Sequence, residues 1–312
     1  MRSRSLGKTG ISVSELSLGT WGLSGEAYGS VSPGESKRVI DRAKAMGITL
    51  FETADYYGGG AIETELGEAL KGSSATIVTK WGTDVSGSPK RKRFDAEFLR
   101  DSALASKKRL GDDAQIIGIL HNPSQKALES TEATDAMKKL CEEGLIASWG
   151  VSVGDEEVAR AAIEQEAPVL SFAHNILQVQ PLRDLCEEIK EKEIGVLAHS
   201  VLFYGLLAGR WAPNKEFRYG DHRSERWPEG VRARVRHLDG IRPLVSGDVS
   251  TMRSAAIRFV LENETVSTAV LGPRTSAQLD QLIRECTAEP PYLSEGKMSA
   301  LESRLSNMEV PR

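Results

Sequence analysis

Residues 47–70 read GITLFETADYYGGGAIETELGEAL. An apolar run from Ile48 to Phe51 stops at a carboxylate, Glu52. Two tyrosines and three glycines follow, and then an amphipathic run over 62–70. The first run is too short for a helix and fits a buried strand, whereas the last has helical spacing. The glycines between them mark a loop. The segment is one strand–loop–helix unit, and its strand ends on an acid.

The same unit recurs along the chain. Strands are expected at 15–18, 49–51, 76–79, 115–120, 147–151, 169–172, 195–198 and 267–271. Helices are expected at 36–46, 62–70, 97–110, 125–143, 156–166, 181–192, 251–262 and 276–289. Glycines such as Gly47 and Gly144 close several of the helices, as C-caps do. A short hairpin, 3–6 and 11–13 around GKTG, precedes the first unit. Eight βα units in 312 residues without a linker give the count of a (β/α)8 TIM barrel. The whole of 1–312 reads as a single domain, with an arginine-rich irregular insertion at about 211–248 after strand seven. A doubly wound sheet is the alternative, but no GxGxxG follows a strand.

Composition narrows the class. The chain is 40% apolar and 27% charged, which are globular values. No run of eighteen apolar residues occurs, so no membrane span is expected. The start, MRSRSLGKTGISVSEL, has no apolar signal segment, and a cytoplasmic location is expected. Cys141, Cys186 and Cys286 stand far apart and read as reduced thiols. The histidines form no metal-ligand pair, so no metal is expected. A net charge of −4 and the lack of a recognised motif argue against nucleic acid as a partner.

Barrel chemistry sits at the C-terminal strand ends. Strand two ends at Glu52, strand three at Lys80 and strand four at His121. Neighbouring strands lie roughly 4.8 Å apart, so the three side chains should converge on one rim. Tyr57, five residues past Glu52, can fold over that rim. A Lys ammonium beside it is expected to lower its pKa, making it a proton donor to an oxygen that becomes an alkoxide. Asp55, in the loop, reads as a bystander and Tyr56 as a packing residue. The set contains neither a Ser-His-Asp nucleophile nor a glycosidase carboxylate pair. It suits carbonyl reduction with the hydride supplied from elsewhere.

FETADYYG, VTKWG, ILHNP, GLIASWGVS, GLLAGRW and AVLGPRTSAQLDQL, in this order, resemble the successive signatures of the aldo-keto reductase superfamily. The resemblance extends over nearly the whole chain and is closest to the bacterial and potassium-channel-β-like branches. It implies NADPH bound across the strand ends and a tetrad of Glu52 (in the Asp position), Tyr57, Lys80 and His121. The partner it implies is a small-molecule carbonyl or alcohol. It carries cofactor roles to Gly19, Thr20 and Trp21, and to Ser152 and Ser171 at the carboxamide. His199 takes the place of a stacking aromatic. Ser200, Leu202, Gly205, Leu207 and Gly209 match the pyrophosphate loop, and Gly272, Arg274 and Gln278 the 2′-phosphate segment. Val153 and Leu282 stand where the family has Asn. Trp21, Trp81 and Phe203 are expected to wall the substrate side. Two alternatives on the same fold are an NADP-retaining epimerase or other redox-neutral enzyme, and a slow NADP-binding regulatory subunit. The resemblance does not define an oligomeric state.

Overall fold

The computed structural model describes residues 1–286 and 288–305. Eight parallel strands close into a barrel. They are β1 (Leu16–Gly19), β2 (Leu50–Glu52), β3 (Thr76–Trp81), β4 (Gln115–His121), β5 (Ser148–Val153), β6 (Val169–Ala173), β7 (Gly195–His199) and β8 (Thr268–Leu271). Each follows its predecessor around the wall, and β8 pairs with β1. This is the expected (β/α)8 architecture.

Every strand is buried on both faces, as a parallel sheet under helices requires. Successive side chains point to opposite faces. The inward file carries Leu50, Val78, Ile117, Ile119, Val169, Leu197 and Val270, which form one apolar cluster inside the barrel. Leu6 and Val13 of the N-terminal hairpin (Ser3–Ser5 with Ser12–Ser14) complete it from below. The hairpin is fixed under the barrel by reciprocal bonds between Ser14 and Thr49, 2.8 and 2.9 Å, and by Lys8 N–H to the Glu193 carbonyl at 2.7 Å. The outward file, including Phe51, Ile77, Trp81, Leu120 and Phe172, packs into the surrounding helical layer.

The helices are α1 (Glu35–Ala45), α2 (Ala61–Leu70), α3 (Ala96–Leu110), α4 (Gln125–Glu129), α5 (Glu132–Glu142), α6 (Glu156–Glu164), α7 (Leu182–Glu191), α8 (His222–Arg226), α9 (Arg232–Ile241), α10 (Met252–Glu262), α11 (Ser276–Cys286) and α12 (Glu295–Leu305). Four features differ from expectation. The helix expected over 125–143 is two helices, because Thr131 adopts φ 61° and turns the chain between α4 and α5. The stretch 211–248 is not irregular throughout, since it contains α8 and α9. Its apolar stripe of Val235, Leu238 and Ile241 is buried but short, and the helix has an arginine-rich start, Arg232, Arg234 and Arg236, which hid the period. A two-stranded ladder, Thr83–Asp84 with Arg91–Lys92, follows β3. Helix α12 was not expected, and residue 287, inside the span expected for α11, lies outside the described residues.

Leu6 fills the barrel interior at the end opposite the strand tips and is fully buried. Leu6→Ala should destabilise the protein by about 2–5 kcal/mol in urea denaturation. Ligand binding at the strand tips should be unchanged in the folded fraction.

Candidate active site

The inward file sets the site. Two residues beyond Leu50, Val78, Ile119 and Leu197, on the same face, stand Glu52, Lys80, His121 and His199. On each of these four strands an apolar inward residue is followed by a polar one at the tip. Glu52 and Lys80, both nearly inaccessible to solvent, form a direct ion pair. Lys80 Nζ lies 3.5 Å from the Thr53 carbonyl and 5.8 Å from the Tyr57 ring centroid. Gly19 is the register partner of Glu52 on β1. A Cβ on Gly19 would stand 3.4 Å from the Glu52 carboxylate and 2.8 Å from Val270. The tight approach there is to Val270, whereas the Glu52 carboxylate would be met only at van der Waals distance.

The loop after β2 places Tyr57. Gly58, Gly59 and Gly60 all have left-handed φ, 60°, 63° and 93°, which glycine adopts without steric cost. They turn the chain from Tyr57 straight into α2. Tyr57 is buried, and its ring meets Tyr56 edge-on at 5.1 Å. Tyr56 lines the same cavity and stacks on His121 at 5.7 Å, with Lys90 Nζ 4.6 Å from its ring centroid. It is part of the site, not packing alone. Asp55 does not line the cavity. It is close enough to Ser102, Glu63 and Arg109 on α3 and α2 for each to act on its titration.

Burial dominates the electrostatics. It raises Tyr57 well above the ordinary phenol value, and the neighbouring Tyr56, Tyr28 and Asp55 add to this. The lowering expected from Lys80 is therefore not found, and Tyr57 keeps its proton at neutral pH. Burial draws the Lys80 ammonium down to about 7, while the touching Glu52 carboxylate favours its charged form. Burial, and then the Lys80 charge, hold His121 well below its usual range and take His199 down to about 3. Both imidazoles are neutral. Burial, followed by repulsion from Glu63, raises the Asp55 carboxyl to about 7.

Glu52, Tyr57, Lys80 and His121 form the floor of a cavity of about 750 Å³. Gly19, Trp21 and Ser152 line it near the floor, with His199, Ser200, Leu202 and Gly205 from β7 and the loop beyond. Gly272, Arg274 and Gln278 line it on the β8 side. Thr20, Ser171, Leu207 and Gly209 do not. Thr20 is buried and donates from Oγ1 to the Glu52 carbonyl at 2.9 Å. Ser171 lies inside the barrel as the register partner of Ser152. Leu207 is core, and Gly209 makes way for Met252. Trp81 faces outward and Phe203 packs on Trp227, so of the three expected wall aromatics only Trp21 lines the cavity.

Sequence reading missed Asn122. Its φ of 49° turns it beside Ser152, whose Oγ donates to Asn122 Oδ1 at 2.7 Å. Asn122, from the ILHNP segment, thus stands beside Ser152 while position 153 is Val. Arg274 lines the wall, but its guanidinium donates to the carbonyls of Gly22, Gly29 and Ser30 at 3.2, 2.6 and 2.9 Å. Cations dominate the lining: Lys80, Arg210, Arg223, Arg226, Arg253 and Arg274 against the single carboxylate Glu52. Arg223 is paired to Asp221 at 2.6 Å and lies over the Tyr28 ring at 4.7 Å, and Arg226 lies over the Tyr204 ring at 4.7 Å. Among the described residues no group of three or more His, Cys, Asp or Glu is placed to hold a metal ion, and no helix is long and apolar enough to cross a membrane.

A sequence model described as Aldo/keto reductase family matches residues 15–303. The chain is 26% identical to L-galactose dehydrogenase of Arabidopsis thaliana, over 91% of this chain and 88% of that protein. It is 26% identical to aldo-keto reductase YhdN of Bacillus subtilis (strain 168), over 90% and 88%. The solved glycerol dehydrogenase AKR11B4 from Gluconobacter oxydans superposes with a TM-score of 0.85 over 99% of this chain and 97% of that one, at 23% identity.

Removing one member of a buried ion pair strands the other charge. Lys80→Met should cost about 3–5 kcal/mol in urea denaturation, and Glu52→Gln in the same chain should restore most of it. Asp55 behaves oppositely to a paired carboxylate. Its folded-state pKa of about 7 lies above its usual 3.8, so the unfolded chain releases the proton first as pH rises. The stability that Asp55 contributes is present below about pH 4 and lost on the way to pH 7. Asp55→Asn should flatten that limb of the stability profile, as denaturation at a series of pH values would measure.

Proposed function

The chain belongs to the aldo/keto reductase family, and we propose that it interconverts an aldehyde or ketone and its alcohol with a nicotinamide dinucleotide, NADPH in the sequence reading. One observation carries the proposal. Glu52, Tyr57, Lys80 and His121, from β2, its loop, β3 and β4, meet on the floor of a single cavity with a basic wall.

The residues present fit such a cofactor. A dinucleotide is anionic, and with Lys80 and Glu52 paired to each other the wall still carries five arginines, of which Arg223 and Arg253 are paired to Asp221 and Glu285. Ser152 and Asn122 offer amide-binding polar groups beside the floor, and Trp21 and His199 offer ring faces. Ser200, Leu202 and Gly205 would hold the central phosphates, and Gly272, Arg274 and Gln278 the far end. A bound nicotinamide supplies the hydride equivalent to the carbonyl carbon.

Everything else falls to the chain. Tyr57 keeps its phenolic proton at neutral pH and delivers it to the carbonyl oxygen as charge develops there. Lys80, held by Glu52, places a positive charge beside the Tyr57 ring, where it stabilises the phenolate left behind. Neutral His121, braced by the Tyr56 stack, orients the same oxygen through a ring N–H. The burial of all four keeps water from competing for the proton.

Tyr57→Phe should lower turnover at least ~100-fold while nucleotide affinity stays within about twofold. Nicotinamide absorbance with a carbonyl panel and both NADPH and NADH would measure the first, and quenching of tryptophan fluorescence the second. Full activity in the Phe variant would overturn the mechanism. Turnover by wild type without net absorbance change would favour the redox-neutral alternative.

A further inference from the structure

Lys80 faces into the barrel, so its neighbours on β3, Thr79 and Trp81, face out toward α2 and α3. Both are held there by hydrogen bonds. Thr79 Oγ1 donates to Glu63 Oε1 at 2.6 Å, and Trp81 Nε1 donates to Ser106 Oγ at 2.9 Å. Arg109 joins the two anchors, with Nε 2.6 Å from Glu63 Oε2 and Nη2 3.5 Å from Ser106 Oγ. The backbone adds a third hold, Asp55 N–H to the Lys80 carbonyl at 3.3 Å.

The same guanidinium also bears on the loop that carries Tyr57. A Cβ on Gly60 would stand 3.0 Å from Arg109 Cδ and Nε. On the far side, the Trp81 ring occupies space left by Gly118 of β4, where a Cβ would come within 2.2 Å of the ring. β3 is thus fixed on both sides of Lys80 by directional contacts.

Glu63 is completely buried. Keeping a carboxylate and its guanidinium partner between helices is a poor source of stability, since an apolar pair of similar volume would do as well or better. Hydrogen bonds provide what apolar packing does not, a fixed position and rotation for the residues they grip. Four groups face Lys80 from the inside: Glu52 on β2, Tyr57 on its loop, His121 on β4 and His199 on β7. Small rotations of β3 would change all of these relations together.

We propose that Glu63, with Arg109 and Ser106, is a positioning set that acts from behind the barrel wall to hold Lys80 against Glu52 and beside Tyr57. The proposal rests on the reading of Lys80 as part of the reacting site. Thr79 separates it from simple packing. Thr79→Val keeps the shape and loses the hydroxyl, whereas Thr79→Ser keeps the hydroxyl and loses a methyl.

Two readouts apply to both variants in the full chain, with folding verified by circular dichroism. One is kcat and KM for carbonyl reduction. The other, independent of turnover, is the pH midpoint for acetylation of Lys80 by acetic anhydride, followed by mass spectrometry. The positioning role expects Thr79→Val to lose about tenfold in kcat with KM nearly unchanged. It also expects the Lys80 midpoint to fall, because the ammonium stays buried and loses its contact with Glu52. Thr79→Ser should match wild type in both. A Val variant with the wild-type midpoint, or a Ser variant as impaired as Val, overturns the proposal. If wild type reduces no carbonyl, the reductase reading fails, and the acetylation midpoints still decide the positioning role.

Discussion

A carboxylate and an ammonium taken out of water on adjacent strands set the terms for the rest of the site. The Glu52–Lys80 pair caps the apolar filling of the barrel, with Leu50 and Val78 directly beneath it on the same strands. Such a pair is tolerated only when each partner is held where the other needs it. Here the holding is done by neighbours of several kinds. The Thr20 N–H and Oγ1 both bind the Glu52 carbonyl at 2.9 Å, and Thr53 offers its carbonyl to Lys80. The pair in turn sets an ammonium 5.8 Å from the ring centroid of the buried Tyr57.

Burial works on the members of this set in different ways. It keeps the proton on Tyr57, removes it from His121 and His199, and weakens the hold of Lys80 on its own. One low-dielectric floor therefore presents a neutral acid, neutral imidazoles and one paired cation. The outer wall has a contrary character. The chain carries a net charge of −4, yet the cavity lining is strongly basic. Net charge is a property of the whole surface, whereas ligand selection belongs to the local field. Several of these cations are fixed by aromatic faces: Arg223 lies over Tyr28 and Phe217 at 4.7 and 4.5 Å, and Arg226 over Tyr204. The segment that carries them is tied to the loop after β1 by His222 N–H to the Ala27 carbonyl at 2.8 Å and by the Trp21–His222 ring contact.

The barrel was legible because its signal is repeated and local. Alternation of strand and helix, and a strand that turns polar only at its tip, can be read without knowing any contact. Glu52, Lys80 and His121 emerged in this way. The same rule excludes Trp81 from the substrate wall, since adjacent strand residues cannot share a face. Asn122 was harder to find. It reaches Ser152 only because a positive φ turns it across to the next strand. Helix α9 was obscured because its buried apolar stripe is short and its start is rich in arginine.

The sequence by itself determined the order of the units, the polar strand tips and the glycines that let Tyr57 fold back. These follow from side-chain periodicity and backbone sterics, which act over a few residues. Only the tertiary structure decided the rest. Glu52 meets Lys80 because two neighbouring parallel strands carry both side chains to one rim. Arg274, which reads as a free phosphate partner, is engaged by three carbonyls of the loop after β1. Tyr57 holds its proton because its burial in the folded loop, with Tyr56, Tyr28 and Asp55 nearby, disfavours the phenolate. Dielectric, room and competition for donors depend on what the fold brings together from remote parts of the chain.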